Sequence, residues 1–300
     1  MINDNALPPL LTAIVPLTRM AGRLENLGSW LNLARDHSIQ IVIAHDVQDE
    51  VTGIELRELL NGENNRRIEL IEGNFGAPGL ARNAGIEVAR GKWVTFWDSD
   101  DVPQVNRFVS MLKSTSGVDI DCFVGGYSTV NDFDGEVEER ILPSNHLESI
   151  ALNPGIWRFA FKRESLGSLR FSNLLMAEDQ LFLAHYNISK RNLSIYNHSI
   201  YNYYVGGHFH QTRQKKALEN LLSSVEESFK VLQNTSNSNF RFVTILLCRQ
   251  IVTGIKHGSF FIRLKFFKVI LVGLRKSPKS IYPEMFNAGY LTYRMKRSTK

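Results

Sequence analysis

Three carboxylates within four positions follow an apolar segment in the stretch KWVTFWDSDDVPQ, residues 92–104. Asp98, Asp100 and Asp101 should repel one another, because a like-charge pair at about 4 Å costs on the order of 1 kcal/mol in water and more where solvent is excluded. A divalent cation would relieve this repulsion, since Mg²⁺ and Mn²⁺ bind carboxylate oxygens together with phosphate and water oxygens. The alternative is an Asx turn at a strand end with solvated carboxylates, continued by Pro103.

A second pair of acids, Glu178 and Asp179, lies in the segment MAEDQLF, residues 176–182. One of these carboxylates could serve as general base for a hydroxyl nucleophile. The alternative is purely structural, because a helix dipole favours acidic residues in the first turn of any helix.

The segment FGAPGLARNAG, residues 75–85, combines glycines with an arginine. Gly76 and Gly79 allow close backbone approach, and a helix beginning here could hold a phosphate at its N-terminus. Arg82, one turn into that helix, could reach a phosphate or a base. The spacing fits neither a Walker A loop nor GxGxxG, so a surface loop with a solvated Arg82 is the alternative.

Alternating strands and helices are expected to position these residues. Short apolar runs predict strands at residues 10–15, 39–44, 67–71 and 92–97, with helical spacing of apolar residues between them. Strands joined by helical crossovers imply an α/β fold with a mostly parallel sheet. Ligands of such sheets bind beyond the carboxyl ends of the strands, which is where the acidic triplet lies.

The second half of the chain reads differently. Residues 122–130 and 136–142 are predicted strands joined by the turn NDFDGE, and residues 193–205 are a predicted strand pair. After residue 211 the apolar spacing becomes helical. We therefore expect a catalytic α/β domain over residues 1–210 and a helical, basic region over residues 211–300.

Composition narrows the class of protein. The chain is 43% hydrophobic and 22% charged, which is ordinary for a globular protein with a sizeable core. Cys122 and Cys248 are far apart and belong to no CxxC motif, so we expect reduced thiols rather than a zinc site or a disulfide. The N-terminus does not resemble a secretory signal, and no run of about 18 apolar residues predicts a membrane span. A cytoplasmic protein is expected.

The charge is unevenly distributed. Residues 251–300 contain eleven Lys and Arg against one acid, Glu284, a net charge of +10, whereas the whole chain carries only +5. Residues 260–276 mix aromatic, aliphatic and basic side chains, with Phe260, Leu264 and Phe267 on one side of a predicted helix. This pattern suits an interfacial helix on an anionic membrane, with residues 256–300 as the contacting region. The alternative is a helix that packs its apolar face on the rest of the protein with its cations solvated. Nucleic-acid binding is not expected, because the remainder is acidic and no recognition motif occurs.

Taken in order, the segments IVPLTR, IVIAHDVQDE, NFGAPGLARNAG, TFWDSDD and AEDQLF resemble the successive motifs of family 2 glycosyltransferases of the GT-A fold. The segment GIWRFAFKRESL, residues 155–166, resembles the acceptor-side motif of that family. The resemblance covers about residues 10–205. It implies a Rossmann-like sheet with flanking helices that binds a nucleotide-sugar.

The resemblance also implies a role for each matching residue. Asp46 and Arg82 would contact the base or the phosphates, Asp98 and Asp100 would lie near the ribose and donor sugar, and Pro16 and Thr18 would line the nucleotide site. Asp101 would ligate Mn²⁺ or Mg²⁺, with Asp100 beside it. Asp179 would be the catalytic base, with Glu178 as its neighbour.

Several positions depart from the family pattern. Leu17 and Thr18 replace a Val-Tyr pair, which removes a ring that could stack on the base, and His45 replaces the first aspartate after the second strand. His208 and His210, in GGHFHQTR, could touch the diphosphate or the metal, and we include His210 among the candidate ligands.

The implied reaction is transfer of a sugar from a nucleotide-diphosphate sugar, expected to be UDP-linked, to a hydroxyl of a glycan or lipid-linked acceptor, with metal assistance and inversion at the anomeric carbon. Two alternatives stay open from the sequence. One is a nucleotidyltransferase of related α/β fold. Such enzymes carry a glycine- and arginine-rich loop after the first strand, which the segment LTRMAGRLENL resembles only weakly. The other is a non-catalytic, membrane-attached binding protein.

Overall fold

The computed structural model describes residues 8–35, 37–61, 67–114, 119–142, 147–206, 215–235 and 237–298. The chain divides into two compact units. The first comprises residues 1–144, 156–168 and 192–207, and the second comprises residues 145–155, 169–191 and 208–300. The helical unit thus includes two segments from within the range that we assigned to the catalytic domain. The assignment of residues 1–210 to one functional domain stays a prediction.

The first unit contains the sheet. Its strands are β1 Leu11–Leu17, β2 Ile39–Asp46, β3 Ile68–Gly73, β4 Trp93–Phe96, β5 Val102–Pro103, β6 Cys122–Asn131, β7 Val137–Arg140, β8 Phe159–Lys162 and β9 Leu193–Val205. The helices of the whole chain are α1 Glu25–Arg35, α2 Glu50–Leu60, α3 Pro78–Val88, α4 Val105–Lys113, α5 Leu147–Leu152, α6 Arg163–Leu166, α7 Glu178–Tyr186, α8 Lys215–Gln233, α9 Asn237–His257, α10 Phe260–Lys276 and α11 Ile281–Ser298.

The strand order is β3-β2-β1-β4-β8-β6-β9-β5, with β7 added beside β6. Strands β1 to β4 are parallel, as the alternation of strands and helices predicts. Beyond β4 the sheet is mixed, because β8 is antiparallel to both β4 and β6, whereas β6 and β9 are parallel. The carboxyl ends of four parallel strands therefore meet at one edge, where ligands of such sheets bind.

Burial on both faces explains why the first strands are nearly continuous apolar runs. Most residues of β1, β2 and β4 are buried, and they pack against a core that includes Trp30, Trp97 and Phe108. The polar exception on β1, Thr12, donates its hydroxyl to Gln40 and accepts the backbone N–H of Gly91. A buried hydroxyl of this kind needs such partners.

Residues 193–205 form one strand rather than the predicted strand pair. Strand β9 runs beside β6 over its length, and the register shifts between Gly125 and Gly126 and between Gly126 and Ser128. These irregularities let one long strand bend with the sheet, so the polar residues near Asn197 mark a bulge and not a turn.

The second unit is helical. The predicted apolar face of α8 is buried through Leu218, Leu221, Val225 and Phe229. On α9, Arg241 bonds Glu148 of α5 at 2.6 Å and Glu284 of α11 at 3.1 Å, which links three helices of this unit. None of the helices formed by the described residues is both long enough and apolar enough to traverse a bilayer.

Candidate functional site

The predicted site residues of the sheet unit gather at the carboxyl edge of the parallel strands. Pro16 and Thr18 lie at the end of β1, Asp46 ends β2, and the acidic turn of residues 98–101 follows β4. Strand pairing places these ends side by side, because β1 is hydrogen-bonded to both β2 and β4. Thr18 is exposed and Pro16 is half-buried.

Asp46 joins the end of β2 to the glycine-containing loop before α3. Its Oδ2 accepts the backbone N–H of Gly76 at 2.7 Å, and its Oδ1 accepts that of Gln48 at 3.1 Å. Gly76 has a positive φ of 64°, which glycine adopts without steric cost. A carboxylate can accept about four hydrogen bonds, so Asp46 retains capacity for a ligand donor.

Arg82 forms an ion pair with the first aspartate of the acidic turn. Its Nη2 lies 2.9 Å from Asp98 Oδ1, and the arginine side chain is almost completely buried. The alternative of a solvated Arg82 in a surface loop is therefore wrong. The pair joins α3 to the end of β4, and removing either partner would leave a poorly solvated charge without its counterion.

Strand β9 supports the acidic turn from the other side. The Tyr201 hydroxyl accepts the backbone N–H of Asp98 at 3.0 Å, and the Tyr204 backbone N–H donates to Asp101 Oδ1 at 2.8 Å. The turn continues into β5, whose Val102 pairs with Asn202 of β9. The turn is thus held by the sheet at both of its ends.

The three aspartates perturb one another. The pKa of Asp101 is raised well above its ordinary value, chiefly because this side chain is only 1% exposed, and further because Asp100 and Asp98 are negative neighbours. Hydrogen bonds from the Tyr204 N–H and then from the Tyr201 hydroxyl act in the opposite direction and lower this pKa. Loss of solvation and the charge of Asp98 also raise the pKa of Asp100. Both directions are those expected of carboxylates crowded together without a cation.

The carboxylate oxygens of the acidic turn are of the type that divalent cations such as Mg²⁺ and Mn²⁺ bind. Asp101 Oδ2 is buried, and among the described residues no donor hydrogen-bonds it. Asp100 is the exposed member of the turn. No group of three or more His, Cys, Asp or Glu side chains within the described ranges could hold a metal by itself. A cation here would need non-protein oxygens, as Mg²⁺ and Mn²⁺ usually do. Because Oδ2 is closed off from solvent, its ligation also requires a local shift of side chains. His208 and His210 lie outside the described residues.

An aromatic stack backs the acidic turn. The ring of Trp157 stacks on Tyr201 at 4.5 Å and on Tyr203 at 5.5 Å, and Tyr127 meets it edge-on at 4.9 Å. Tyr201 and Tyr203 are two residues apart on β9, so they present the same face of the sheet. Burial, and then Asp101 and Asp98, raise the pKa of Tyr201 well above its ordinary value, so its hydroxyl stays neutral.

His45, which departs from the family pattern, is held by residues of neighbouring elements. The ring is buried, its Nε2 donates to the Asp49 carbonyl oxygen at 3.0 Å, and its Nδ1 lies 3.4 Å from Glu72. Gly53 makes room for the ring, because a Cβ there would meet His45 Cε1 at 2.5 Å. This histidine supports the turn after β2.

Glu178 and Asp179 belong to the helical unit. They begin α7 as predicted, directly after Ala177, which has a positive φ of 61°. Glu178 is buried, and Asp179 Oδ1 accepts the backbone N–H of Gln180 at 2.7 Å. Their assignment as catalytic base and neighbour stays a prediction.

Sequence reasoning missed Tyr201 and Tyr204 as supports of the acidic turn. The β propensity of the segment IYNYYV predicts a strand and no contact with the acidic turn. The concentration of tyrosines is the one available signal, because a buried phenol usually finds a hydrogen-bond partner. Their partners lie 103 residues away in the chain, so no local pattern identifies them.

Comparison with known proteins adds independent evidence. The model of glycosyl transferase family 2 matches residues 23–177, just over half of the chain. Glycosyltransferase GlyG of Streptococcus pneumoniae serotype 4 is 24% identical over 189 residues, which cover 57% of this chain and 62% of GlyG. Glycosyltransferase GlyA of the same organism is 26% identical over 158 residues, 53% of this chain and 22% of GlyA. The chain thus spans less than two thirds of the length of these relatives.

Solved structures resemble the whole chain in fold. TarS 1-349 of S. aureus in complex with UDP has a TM-score of 0.68 and covers 97% of this chain and 92% of its own, at 16% identity. The same fragment in complex with UDP-GlcNAc has a TM-score of 0.66 at 15% identity. At such identities the likeness concerns the fold alone, and it confirms the predicted GT-A class with its helical C-terminal region.

Proposed function

Because the chain belongs to glycosyl transferase family 2, we propose that it is an enzyme that transfers a sugar from a nucleotide-diphosphate sugar to a hydroxyl group. The observation that carries the proposal is the acidic turn of residues 98–101. It lies at the carboxyl edge of four parallel strands and within the residues that match the family. The same match favours glycosyl transfer over nucleotidyl transfer.

The proposed donor is a UDP-sugar. The complexes of TarS with UDP and UDP-GlcNAc support this choice, since that protein has the same fold. Asp46 has acceptor capacity for the base, and Arg82 supplies a positive charge near the phosphates. Asp98 and Asp100 would contact the ribose or donor sugar, with Pro16 and Thr18 at the rim. The aspartates at this edge can accept hydrogen bonds from a polar ligand, and Arg82 can bind its negative charge.

Asp101, with Asp100 beside it, would hold Mn²⁺ or Mg²⁺. When bound, such an ion neutralises negative charge on a leaving diphosphate. The buried carboxylate of Asp101 and the crowding of three aspartates within four positions support this assignment. The protein contributes a rigid turn, because Tyr201 and the Tyr204 N–H keep the carboxylates in place.

Asp179 would accept the proton of the acceptor hydroxyl, with Glu178 as its buried neighbour. Its hydrogen bond from the Gln180 N–H orients the carboxylate. The hydroxyl oxygen would form the new bond to the anomeric carbon while the bond to the diphosphate breaks, so a single displacement inverts the anomeric configuration. The proposed acceptor is a glycan or lipid-linked glycan in polysaccharide assembly. The proposed location is the cytoplasmic face of the plasma membrane, contacted by residues 256–300.

The test is a donor screen with the full chain. Purified protein is incubated with several UDP-sugars and Mn²⁺, and the released UDP is measured with and without a chelator. We expect UDP release with one donor, loss of that release on chelation, and loss of transfer in Asp179→Asn with donor affinity retained. The matched control is Asp119→Asn, a carboxylate outside the acidic turn and α7 that is 77% exposed and pairs with Lys162.

Two results would overturn the proposal. Release of pyrophosphate in place of UDP would indicate nucleotidyl transfer, and absence of release with every donor would indicate a binding protein. Normal turnover in Asp179→Asn would remove only the base assignment.

A further inference from the structure

Helix α10 has two different faces, and its inward face packs against α8 and α9. Phe266 packs against Gly254 of α9, where an added Cβ would lie 2.1 Å from the ring. Gly273 lies against the ring of Phe229 on α8, where an added Cβ would come within 2.4 Å. With Ile262, these residues are buried. Contacts within the helical unit therefore settle which side of α10 faces inward.

The outward face of α10 is apolar. Phe260 is 70% exposed, Phe261 is 75% exposed and Phe267 is 61% exposed, and Leu264 and Leu271 are exposed beside them. Phe260, Leu264, Phe267 and Leu271 follow the spacing i, i+4, i+7, i+11 and so form one stripe. The sequence alone allows this side to face either a membrane or the protein's own core. The second choice therefore holds for Ile262 and Phe266, which are buried, and not for this stripe. A contiguous exposed apolar stripe marks an interaction surface.

Cations flank this stripe, and the helix has no acidic residue. The basic residues of α10 are Arg263, Lys265, Lys268, Arg275 and Lys276. A partner must therefore combine an apolar interior with negative charge. The same face of a second copy does not meet this requirement, because that helix carries the same five cations and no acid. A membrane that contains anionic lipid meets both parts of it.

We propose that the outward face of α10 docks on the surface of an anionic membrane. The helix lies parallel to the surface, its phenylalanine rings enter the boundary of the acyl chains, and its cations meet lipid phosphates. Its 17 residues and five cations suit this orientation and not a membrane span. This docking surface shares no residue with the proposed transfer site, and it rests on the proposed function only for the membrane location of residues 256–300.

The experiment is vesicle flotation of the full chain. Vesicles of phosphatidylcholine alone are compared with vesicles that contain about one third phosphatidylglycerol. We expect the protein to float with the anionic vesicles and to stay at the bottom with the neutral ones. Lys265→Gln combined with Lys268→Gln should lower the partition coefficient by roughly tenfold or more, because each cation near the surface contributes about 1 kcal/mol. Phe260→Ser combined with Phe267→Ser should lower it by a similar factor.

Matched controls test whether flotation depends on the outward face of α10 or on any exposed phenylalanine or cation. Phe133→Ser removes a phenylalanine that is 81% exposed on the sheet unit, and Lys190→Gln removes an exposed cation outside α10. Both should float like the unchanged protein. Circular dichroism checks that each variant is folded, which is expected because the replaced side chains are exposed.

A second measurement reports how deeply α10 enters the membrane. Phe267→Trp should be quenched by brominated acyl chains in anionic vesicles, whereas the unchanged protein, whose four tryptophans are buried, should not be. Equal recovery with neutral and anionic vesicles, no flotation at all, or an equal loss in Phe133→Ser would overturn the proposal. Total absence of flotation would point to an acidic protein partner instead. Transfer to a soluble acceptor should be unaffected by the α10 variants, so failure of docking and failure of the proposed function are distinguishable.

Discussion

The Tyr201 hydroxyl accepts the backbone N–H of Asp98 at 3.0 Å, although 103 residues separate them in the chain. Tyr201 is fully buried, and Trp157 stacks on its ring at 4.5 Å. The position of the acidic turn therefore depends on a strand near the end of the sheet unit and not only on the strand that precedes the turn.

Tyr201→Phe tests this dependence. The ring still fits, but the Asp98 N–H loses its acceptor, which costs about 1–3 kcal/mol for a buried donor. We expect a lower Tm and weaker binding of UDP in the presence of Mn²⁺. Tyr203→Phe, in the same stack, is the matched control and should leave UDP affinity unchanged. Equal losses in both variants would mean that only the stack matters.

Asp101→Asn tests the electrostatic cost of the turn. Because the pKa of Asp101 is raised in the folded protein, the folded state retains a proton that the unfolded chain has already released above pH 3.8. Stability should therefore fall as pH rises from that value through the raised pKa, and stay lower above it. The variant should lose this pH dependence and gain on the order of 1 kcal/mol at pH 7 without metal. Urea unfolding across pH measures it.

Added Mn²⁺ should raise the Tm of the unchanged protein and should raise that of Asp101→Asn much less. Asp119→Asn should respond to Mn²⁺ as the unchanged protein does. If Asp101→Asn gained as much from Mn²⁺ as the unchanged protein, the cation would bind elsewhere.

Arg82→Lys tests the buried ion pair with Asp98. Lysine keeps the charge but lacks the planar group that can bond two partners, so the change is not conservative at a buried site. We expect UDP affinity to fall roughly tenfold, with a loss of stability of about 1–2 kcal/mol. Arg90→Lys is the matched control, because its ion pair with Glu69 is largely exposed and should change stability by less than about 0.5 kcal/mol.

Gly53→Ala tests the fit between α2 and the His45 ring. The new Cβ would lie 2.5 Å from His45 Cε1, so either the ring or the helix must move. We expect a loss of about 1–3 kcal/mol, as for other overpacked sites. The loss should shrink in a His45→Ala background, measured as a double-mutant cycle. Gly289→Ala is the control, because an added Cβ there meets nothing within 4 Å.

Local patterns in the sequence predicted the parallel half of the sheet and the place of the acidic turn. Apolar runs identify β1, β2 and β4 because both faces of these strands are buried, whereas β3 is only half-buried and its apolar residues are interrupted by glutamates. The same kind of pattern misread residues 193–205 as two strands, since a bulge and a turn both interrupt apolar alternation.

The fine structure of the site depends on contacts between distant residues, which local patterns do not carry. The burial of Asp101 comes from β9, and the inward direction of His45 depends on a glycine eight residues later. The outward face of α10 was ambiguous for the same reason, because apolar spacing does not say which of two stripes meets the core.

The helical unit consists of three separate segments of the chain, and Arg241 pairs with Glu148 and Glu284 inside it. Residues 156–168 and 192–207 of the sheet unit lie between those pieces. A ribosome making this protein therefore delivers β9 only after part of the helical unit, and delivers α8 to α11 after β9. The sheet unit is complete once residue 207 has emerged, whereas the helical unit needs segments from both sides of that position, so a cut near residue 210 would divide the helical unit.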